Sequence, residues 1–217
     1  MKRFVLLLAT GVTALLFLAQ SLLAADTGMA PNDSLAYARM IADSLKMEKL
    51  FAIATFPYVK GSKWSGVIPV ANPTEIPDRT VGYKLLFEVD VTNPDSTAKE
   101  INYSLDEVAR ILNLHVASRI APKKIHAVIL VHGPAVEDLT TNEAYRKRHS
   151  IDNPNLKLIE DLDKLGTKFI ACGQAMAFFD VTKEELLPLV KISLTAQTVL
   201  SGYQMKGFVW YPIKPDR

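Results

Sequence analysis

The chain has 217 residues, of which 49% are hydrophobic and 22% are charged, a balance that is ordinary for one globular domain with an appendage. Its formal net charge of +2 comes without a basic stripe, which argues against a nucleic-acid-binding protein. The single basic cluster, residues 146–149, predicts a solvated loop or a helix end.

The first 25 residues predict an export signal. Lys2 and Arg3 precede an apolar run, and the small residues Ala24 and Ala25 follow it, which is typical of a cleaved secretory signal peptide. A retained membrane anchor is the alternative, since the run approaches the length that spans a bilayer. We expect cleavage and a periplasmic or secreted bacterial protein without a stable membrane anchor. Loss of Lys2 and Arg3 from the 25 basic residues would leave 23, equal to the 23 acidic ones.

Residues 26–82 predict an N-terminal extension to the main domain. A helical pattern comes first, and residues 56–78 then form a stretch rich in Gly, Pro and other turn formers, which indicates an arm that is either an irregular loop or a hairpin. We expect this extension to pack over the main domain and not to fold alone.

The domain expected at residues 83–217 alternates apolar strand-length runs with helical patterns. The strands are expected at residues 83–91, 125–133, 168–171, 190–193 and 208–213. Helix starts are indicated by capping boxes at Ser104–Glu107 and Thr182–Glu185 and by Asn153 before Pro154. Apolar strands that alternate with helices predict a three-layer α/β domain with a mainly parallel sheet of five strands.

In such a sheet, ligands bind beyond the carboxyl ends of the strands. The chain's one cysteine, Cys172, directly follows the third expected strand, and Gly173 and Gln174 open the following helix. A thiol at a helix start faces free N–H groups and the positive end of the helix dipole, which favour the nucleophilic thiolate. Gly173 would allow another molecule to approach the sulfur closely. The alternative is an inert, buried cysteine.

The neighbouring strand ends supply the other candidate residues. His132 and Gly133 end the second expected strand, and Asn93 follows the first. We expect His132 to lie near Cys172 and to stabilise an anionic sulfur. The alternative is a histidine that caps its strand, and Asn93 can equally cap a helix or contact a ligand.

Several chemistries lack their motifs in this sequence. A single cysteine excludes dithiol exchange within one chain, and the four histidines have no metal-ligand spacing. No glycine-rich phosphate loop follows a strand. We therefore expect neither a metal nor a cofactor.

Four segments resemble the DsrE family of sulfur-relay proteins, and in particular its exported single-domain branch. They are VILVHGPA (128–135), NEAYRKRHSIDNPNLKLIEDL (142–162), ACGQAMAF (171–178) and LLPLVKISLTAQTVLSGYQMKGF (186–208). The resemblance implies a flavodoxin-like fold, assembly into trimers or hexamers, and a cysteine after the third strand that carries a persulfide sulfur. Cys172 matches that cysteine, and His132 matches the polar position that lines the same pocket.

The leading hypothesis is an exported sulfur carrier, or sulfurtransferase-like protein, that accepts a persulfide sulfur on Cys172. A carrier of this kind requires an accessible thiol. The alternatives are a non-catalytic oligomeric module that binds a ligand or a partner, and a thiol redox sensor. The sequence identifies neither the sulfur donor nor the acceptor.

Overall fold

The structure is a computed structural model that describes residues 31–214, which divide into two compact units, one up to Ala52 and one from Ile53 onwards. The expected signal peptide and its cleavage site lie outside the described residues. No helix within residues 31–214 is both long enough and apolar enough to cross a membrane.

The first unit contains helix α1 (Pro31–Ile53). Apolar residues near helical spacing on it, Leu35, Ile41 and Leu45, are exposed to solvent. The helical part of the expected extension is therefore present.

The irregular arm belongs to the second unit and is fixed to it by a buried side chain. Asn113 accepts hydrogen bonds on Oδ1 from the backbone N–H groups of Tyr58 (2.8 Å) and Val59 (3.0 Å). Its Nδ2 donates to the carbonyl oxygens of Val59 (2.7 Å) and Ser65 (2.9 Å). The side-chain amide of Asn113 thus satisfies four backbone hydrogen-bonding groups of the arm that would otherwise need water.

The sheet has five strands that are all parallel, in the order β4-β3-β2-β1-β5. The strands are β1 (Tyr83–Val89), β2 (Ile125–Val131), β3 (Lys168–Cys172), β4 (Lys191–Ser193) and β5 (Val209–Pro212). All five expected strands are confirmed, with ends that differ by up to two residues, and so is the α/β fold class.

Helices cover both faces of this sheet. They are α2 (Tyr103–Ala117), α3 (Asn142–His149), α4 (Leu156–Lys164), α5 (Gly173–Phe178) and α6 (Ala196–Met205). The first three crossovers step in one direction from β1 to β4, so right-handed connections put α2, α4 and α5 on one face. The last crossover returns from β4 to β5, and α6 accordingly packs on the other face, against β1, β2 and β5.

Two expected helix starts shift in the structure. Asn102, not Ser104, caps α2, because its Oδ1 accepts from the N–H groups of both Ser104 (2.8 Å) and Leu105 (3.1 Å). The helix expected from Asn153 begins at Leu156. The capping box of Thr182 is confirmed, over a single 3-10 turn, and the basic cluster forms the last turn of α3.

Candidate functional site

Cys172 is the last residue of β3 and lies at the carboxyl edge of the sheet. It pairs with Ser193 of β4, and its backbone conformation is extended. Only 4% of its surface is exposed. A sulfur carrier needs an accessible thiol, and this thiol is buried. Any reaction at the sulfur therefore requires movement of the chain that covers it.

The sulfur faces a different helix from the one expected. Sγ accepts a hydrogen bond from the backbone N–H of Ala196, the first residue of α6, at 3.2 Å. Side chains alternate along a strand, and Lys168, which leaves β3 on the same side as Cys172, bonds to Tyr203 of α6. The thiol therefore lies on the α6 face, and it lies at the N-terminus of α6, not of α5.

Gly173 serves packing at this junction. A Cβ on Gly173 would lie 2.7 Å from the carbonyl oxygen of Ser193 and 3.5 Å from that of Leu194. The absence of a side chain lets α5 start directly against the end of β4. Gln174 follows in an exposed position.

His132 pairs with the carboxylate of Glu88, a residue that was not among the candidates from the sequence. Its Nε2 lies 2.9 Å from Oε1 of Glu88, and Oε2 of Glu88 accepts from the indole N–H of Trp210 at 2.8 Å. The side chains of His132 and Glu88 are 26% and 15% exposed. Glu88, on β1, thus joins a residue of β5 to the residue that follows β2.

The same register brings His132 next to Cys172. Val131 and Ala171 are paired neighbours on β2 and β3, and the next residues are His132 and Cys172. Both have extended backbones, so both side chains leave the sheet on the α6 face, from strands about 4.8 Å apart. No hydrogen bond links the two side chains in the described chain. The register thus makes the two residues neighbours on adjacent strands, and a functional contact between them stays a prediction.

Gly133 and Asn93 have structural roles. Gly133 has φ 55°, and a Cβ there would lie 2.6 Å from the carbonyl oxygen of Asp90. Asn93 accepts from the N–H of Tyr103 (2.8 Å) and donates to the carbonyl of Ile101 (3.0 Å). It fixes the loop before α2 and lines a pocket of about 390 Å³ near the ends of β1 and β5.

A second polar cluster, away from the thiol, is centred on Asp138. Its carboxylate accepts from Nδ2 of Asn102 (2.7 Å) and from Nδ2 of Asn155 (2.9 Å). Burial, reinforced by the charge of Glu137, raises the pKa of Asp138 to about 7 against the opposing hydrogen bonds of the two amides. This cluster joins the starts of α2 and α4.

The described residues contain no group of three or more His, Cys, Asp or Glu side chains placed to hold a metal ion. What the strand ends do present is a thiol beside a helix N-terminus, with an imidazole–carboxylate pair one strand away. This combination suits the chemistry of sulfur nucleophiles.

The sequence profile of the DsrE/DsrF-like family matches residues 84–209. The chain belongs to this family. The match spans all of β1 except its first residue and runs to the start of β5, and it includes both Cys172 and His132. It confirms the family of the sequence resemblance, and its exported branch stays a prediction.

Among solved structures, the chain is similar to a protein of unknown function from Methanobacterium thermoautotrophicum. The two share 15% identity over 60% of this chain and 98% of the other, with a TM-score of 0.44. No curated protein matches this DsrE/DsrF-like chain.

Proposed function

We propose that this DsrE/DsrF-like protein is a sulfur carrier that accepts a persulfide sulfur on Cys172. The observation that carries the proposal is the hydrogen bond from Ala196 N–H to Sγ, at the start of a ten-residue helix. A donor N–H and the positive end of the helix dipole stabilise an anionic sulfur. Family membership, which associates this fold with sulfur relay, supports the same reaction.

Loading is a thiol exchange that needs no oxidant. The Cys172 thiolate attacks the outer sulfur of a persulfide R–S–SH, a new Sγ–S bond forms, and the S–S bond of the donor breaks. The thiol R–SH leaves once its sulfur is protonated. Discharge to an acceptor reverses these steps.

Access to the sulfur depends on the segment that joins β4 to α6. Ser193 is the strand partner of Cys172, and Ala196 is its hydrogen-bond donor, so residues 193–196 run around the thiol. Leu194, within this segment, is 76% exposed. A small displacement of this connection would uncover Sγ without disturbing the core strands.

Intact mass spectrometry tests the proposal. Incubation with a small persulfide or polysulfide should add about 32 Da, one sulfur atom, to the folded protein. Cys172→Ser is the matched control and should add nothing. A folded wild-type protein that takes up neither sulfur nor an alkylating reagent at Cys172 would disprove the carrier function.

The 4% exposure of Cys172 favours a second candidate, a non-catalytic module in which the cysteine only fills space. On this alternative, alkylation of Cys172 would proceed only as fast as the whole domain unfolds. Comparing the alkylation rate with the global unfolding rate separates the two functions.

We further propose that the protein is exported and forms homo-oligomers. Cleavage of the signal peptide is tested by N-terminal sequencing of the mature protein, which should begin near Asp26.

Large apolar side chains exposed on the second unit include Phe178 (80%), Leu194 (76%), Met205 (89%) and Trp210 (45%), and exposed apolar surface marks interaction sites. Light scattering should therefore show more than one chain per particle, whereas a monomer at micromolar concentration would contradict this assembly.

A further inference from the structure

We propose that Glu88 is a positioning residue that holds His132 as the proton shuttle for sulfur exchange at Cys172. The inference rests on the proposed carrier function for its physiological meaning. It concerns the reactivity of one thiol, however, and this reactivity can be measured independently.

Glu88 occupies an unusual place for a carboxylate. It is the only acidic residue in the five described strands, and it lies on β1, between β2 and β5. A mostly buried carboxylate costs free energy unless hydrogen bonds compensate it. Its retention in an otherwise apolar strand therefore needs a local reason.

Both oxygens of this carboxylate are committed. Oε2 accepts from the indole N–H of Trp210 at 2.8 Å, and Oε1 lies 2.9 Å from Nε2 of His132. An ionised carboxylate only accepts hydrogen bonds, so Nε2 carries the proton of that contact. The pairing fixes the orientation and the tautomer of the ring, as carboxylates do for functional histidines elsewhere.

The other ring nitrogen of His132, Nδ1, is the one that could take part in proton transfer. Nδ1 of His132 makes no hydrogen bond to any part of the chain that the structure describes. The ring is 26% exposed and belongs to the residue beside Cys172 in the sheet. Nδ1 is therefore the ring nitrogen that is available to exchange protons with the reacting sulfur atoms.

The proton balance of loading then closes within the site. Nδ1 takes the proton of the Cys172 thiol, and the resulting imidazolium faces the Glu88 carboxylate. The thiolate attacks the outer sulfur of the donor persulfide, and the S–S bond breaks. Nδ1 returns its proton to the leaving sulfur, so the products are the Cys172 persulfide, a neutral imidazole and the free thiol R–SH.

The competing explanation is that the contacts among Glu88, His132 and Trp210 are purely structural and only hold β2 and β5 together. The two roles differ in what they do to leaving groups. A proton shuttle helps aliphatic thiolates, which leave poorly without a proton, and gives little help to 2-thiopyridine, which leaves readily without one. If the contacts only support the fold, their loss would change the rates of both reactions by the same factor.

The experiment measures the rate at which Cys172 of the full chain reacts with two disulfides, one aliphatic (2-hydroxyethyl disulfide) and one that releases 2-thiopyridine. We expect Glu88→Gln to slow the aliphatic reaction about 10-fold and His132→Ala to slow it about 100-fold. The 2-thiopyridine reaction should be slowed clearly less than the aliphatic one in both variants, because it loses help with deprotonation of Cys172 but needs no proton on its leaving group. Asp90→Asn is the matched control, because it removes a carboxylate two residues further along that makes no hydrogen bond to His132, and it should leave both rates unchanged.

A double variant tests whether misfolding accounts for the effect of Glu88→Gln. In Glu88→Gln the new amide can meet the indole N–H donor to donor, so Trp210→Phe is also combined with it to remove that conflict. The double variant should fold as wild type by circular dichroism and keep the 10-fold aliphatic defect. Equal slowing of both disulfides, an aliphatic rate unaffected by Glu88→Gln, or no reaction at all in wild type would each overturn the inference. A protein that shows the leaving-group effect but takes no sulfur from persulfides would retain the inference and lose the carrier function.

Discussion

The N–H of Ala196 donates to Sγ of Cys172 at 3.2 Å, so the end of β3 is tied to the start of α6 across the α6 face of the sheet. Both residues are buried. The sulfur therefore satisfies a backbone donor that water cannot reach, in addition to any reaction it takes part in.

The first prediction compares two replacements of Cys172. Cys172→Ala removes the acceptor and leaves the N–H of Ala196 buried and unsatisfied, which should lower the free energy of unfolding by about 1–3 kcal/mol. Cys172→Ser keeps an acceptor oxygen and should cost less. Urea denaturation checks both, and a serine variant that is less stable than the alanine variant would contradict a hydrogen-bonded role for the sulfur.

The second prediction concerns two glycines with opposite surroundings. At Gly173 a Cβ would meet the carbonyl oxygen of Ser193 at 2.7 Å, whereas at Gly202, inside α6, it would meet nothing within 4 Å. Gly173→Ala should destabilise the protein, because backbone must shift to admit the methyl group. Gly202→Ala should instead stabilise it by up to about 1 kcal/mol through helix propensity. Thermal melts of the pair give the comparison, and melting temperatures that move in the same direction would refute it.

The strands and the position of the thiol were predictable from the sequence, because buried parallel strands read as unbroken apolar runs and Cys172 directly follows one. The helix whose N-terminal N–H group binds the sulfur, α6, was not predictable in the same way. Which face of the sheet receives α5 or α6 depends on the direction of each crossover, and hence on the strand order.

Glu88 is the residue that the sequence analysis missed, although a signal was present. It is the one carboxylate inside an apolar strand, YKLLFEV, and a buried charge there implies a partner. The partner itself, His132, lies 44 residues away and becomes a neighbour only through the β1–β2 register. The cap of α2 was misassigned for a related reason, since Asn102 and Ser104 are both good caps and the packing around Asn102 decides between them.

The third prediction tests how the arm is held. Asn113→Ala removes the amide that bonds to four backbone groups of residues 58–65, so the arm should open locally. Trypsin should then cut after Lys60 or Lys63 much faster than in wild type, since local opening exposes the chain to proteases. Gln197→Ala, an exposed site on α6, is the control and should leave the cleavage rate unchanged. Equal resistance of Asn113→Ala and wild type would show that the apolar contacts of the arm suffice.

The last prediction concerns the buried carboxyl of Asp138. Its pKa in the folded protein is raised to about 7 by burial, whereas an unfolded chain has the ordinary value of about 3.9. Between these two values the folded state binds the extra proton, so the contribution of Asp138 to the free energy of unfolding must fall as the pH rises from about 4 to about 7. Below this window the carboxyl is protonated in both states, and above it the carboxyl is ionised in both, so the contribution is constant at each end.

Asp138→Asn removes this titration while nearly keeping the shape of the side chain. The new amide also sets an N–H group against the amide of Asn102 or Asn155, so the variant should be less stable overall. The informative quantity is the difference in unfolding free energy between wild type and variant, measured by urea denaturation at several values from pH 4 to pH 8. This difference should shrink with rising pH across the window, because only wild type must bury a charge. A difference that grows with pH would mean that the hydrogen bonds of Asn102 and Asn155 to the carboxylate outweigh its burial.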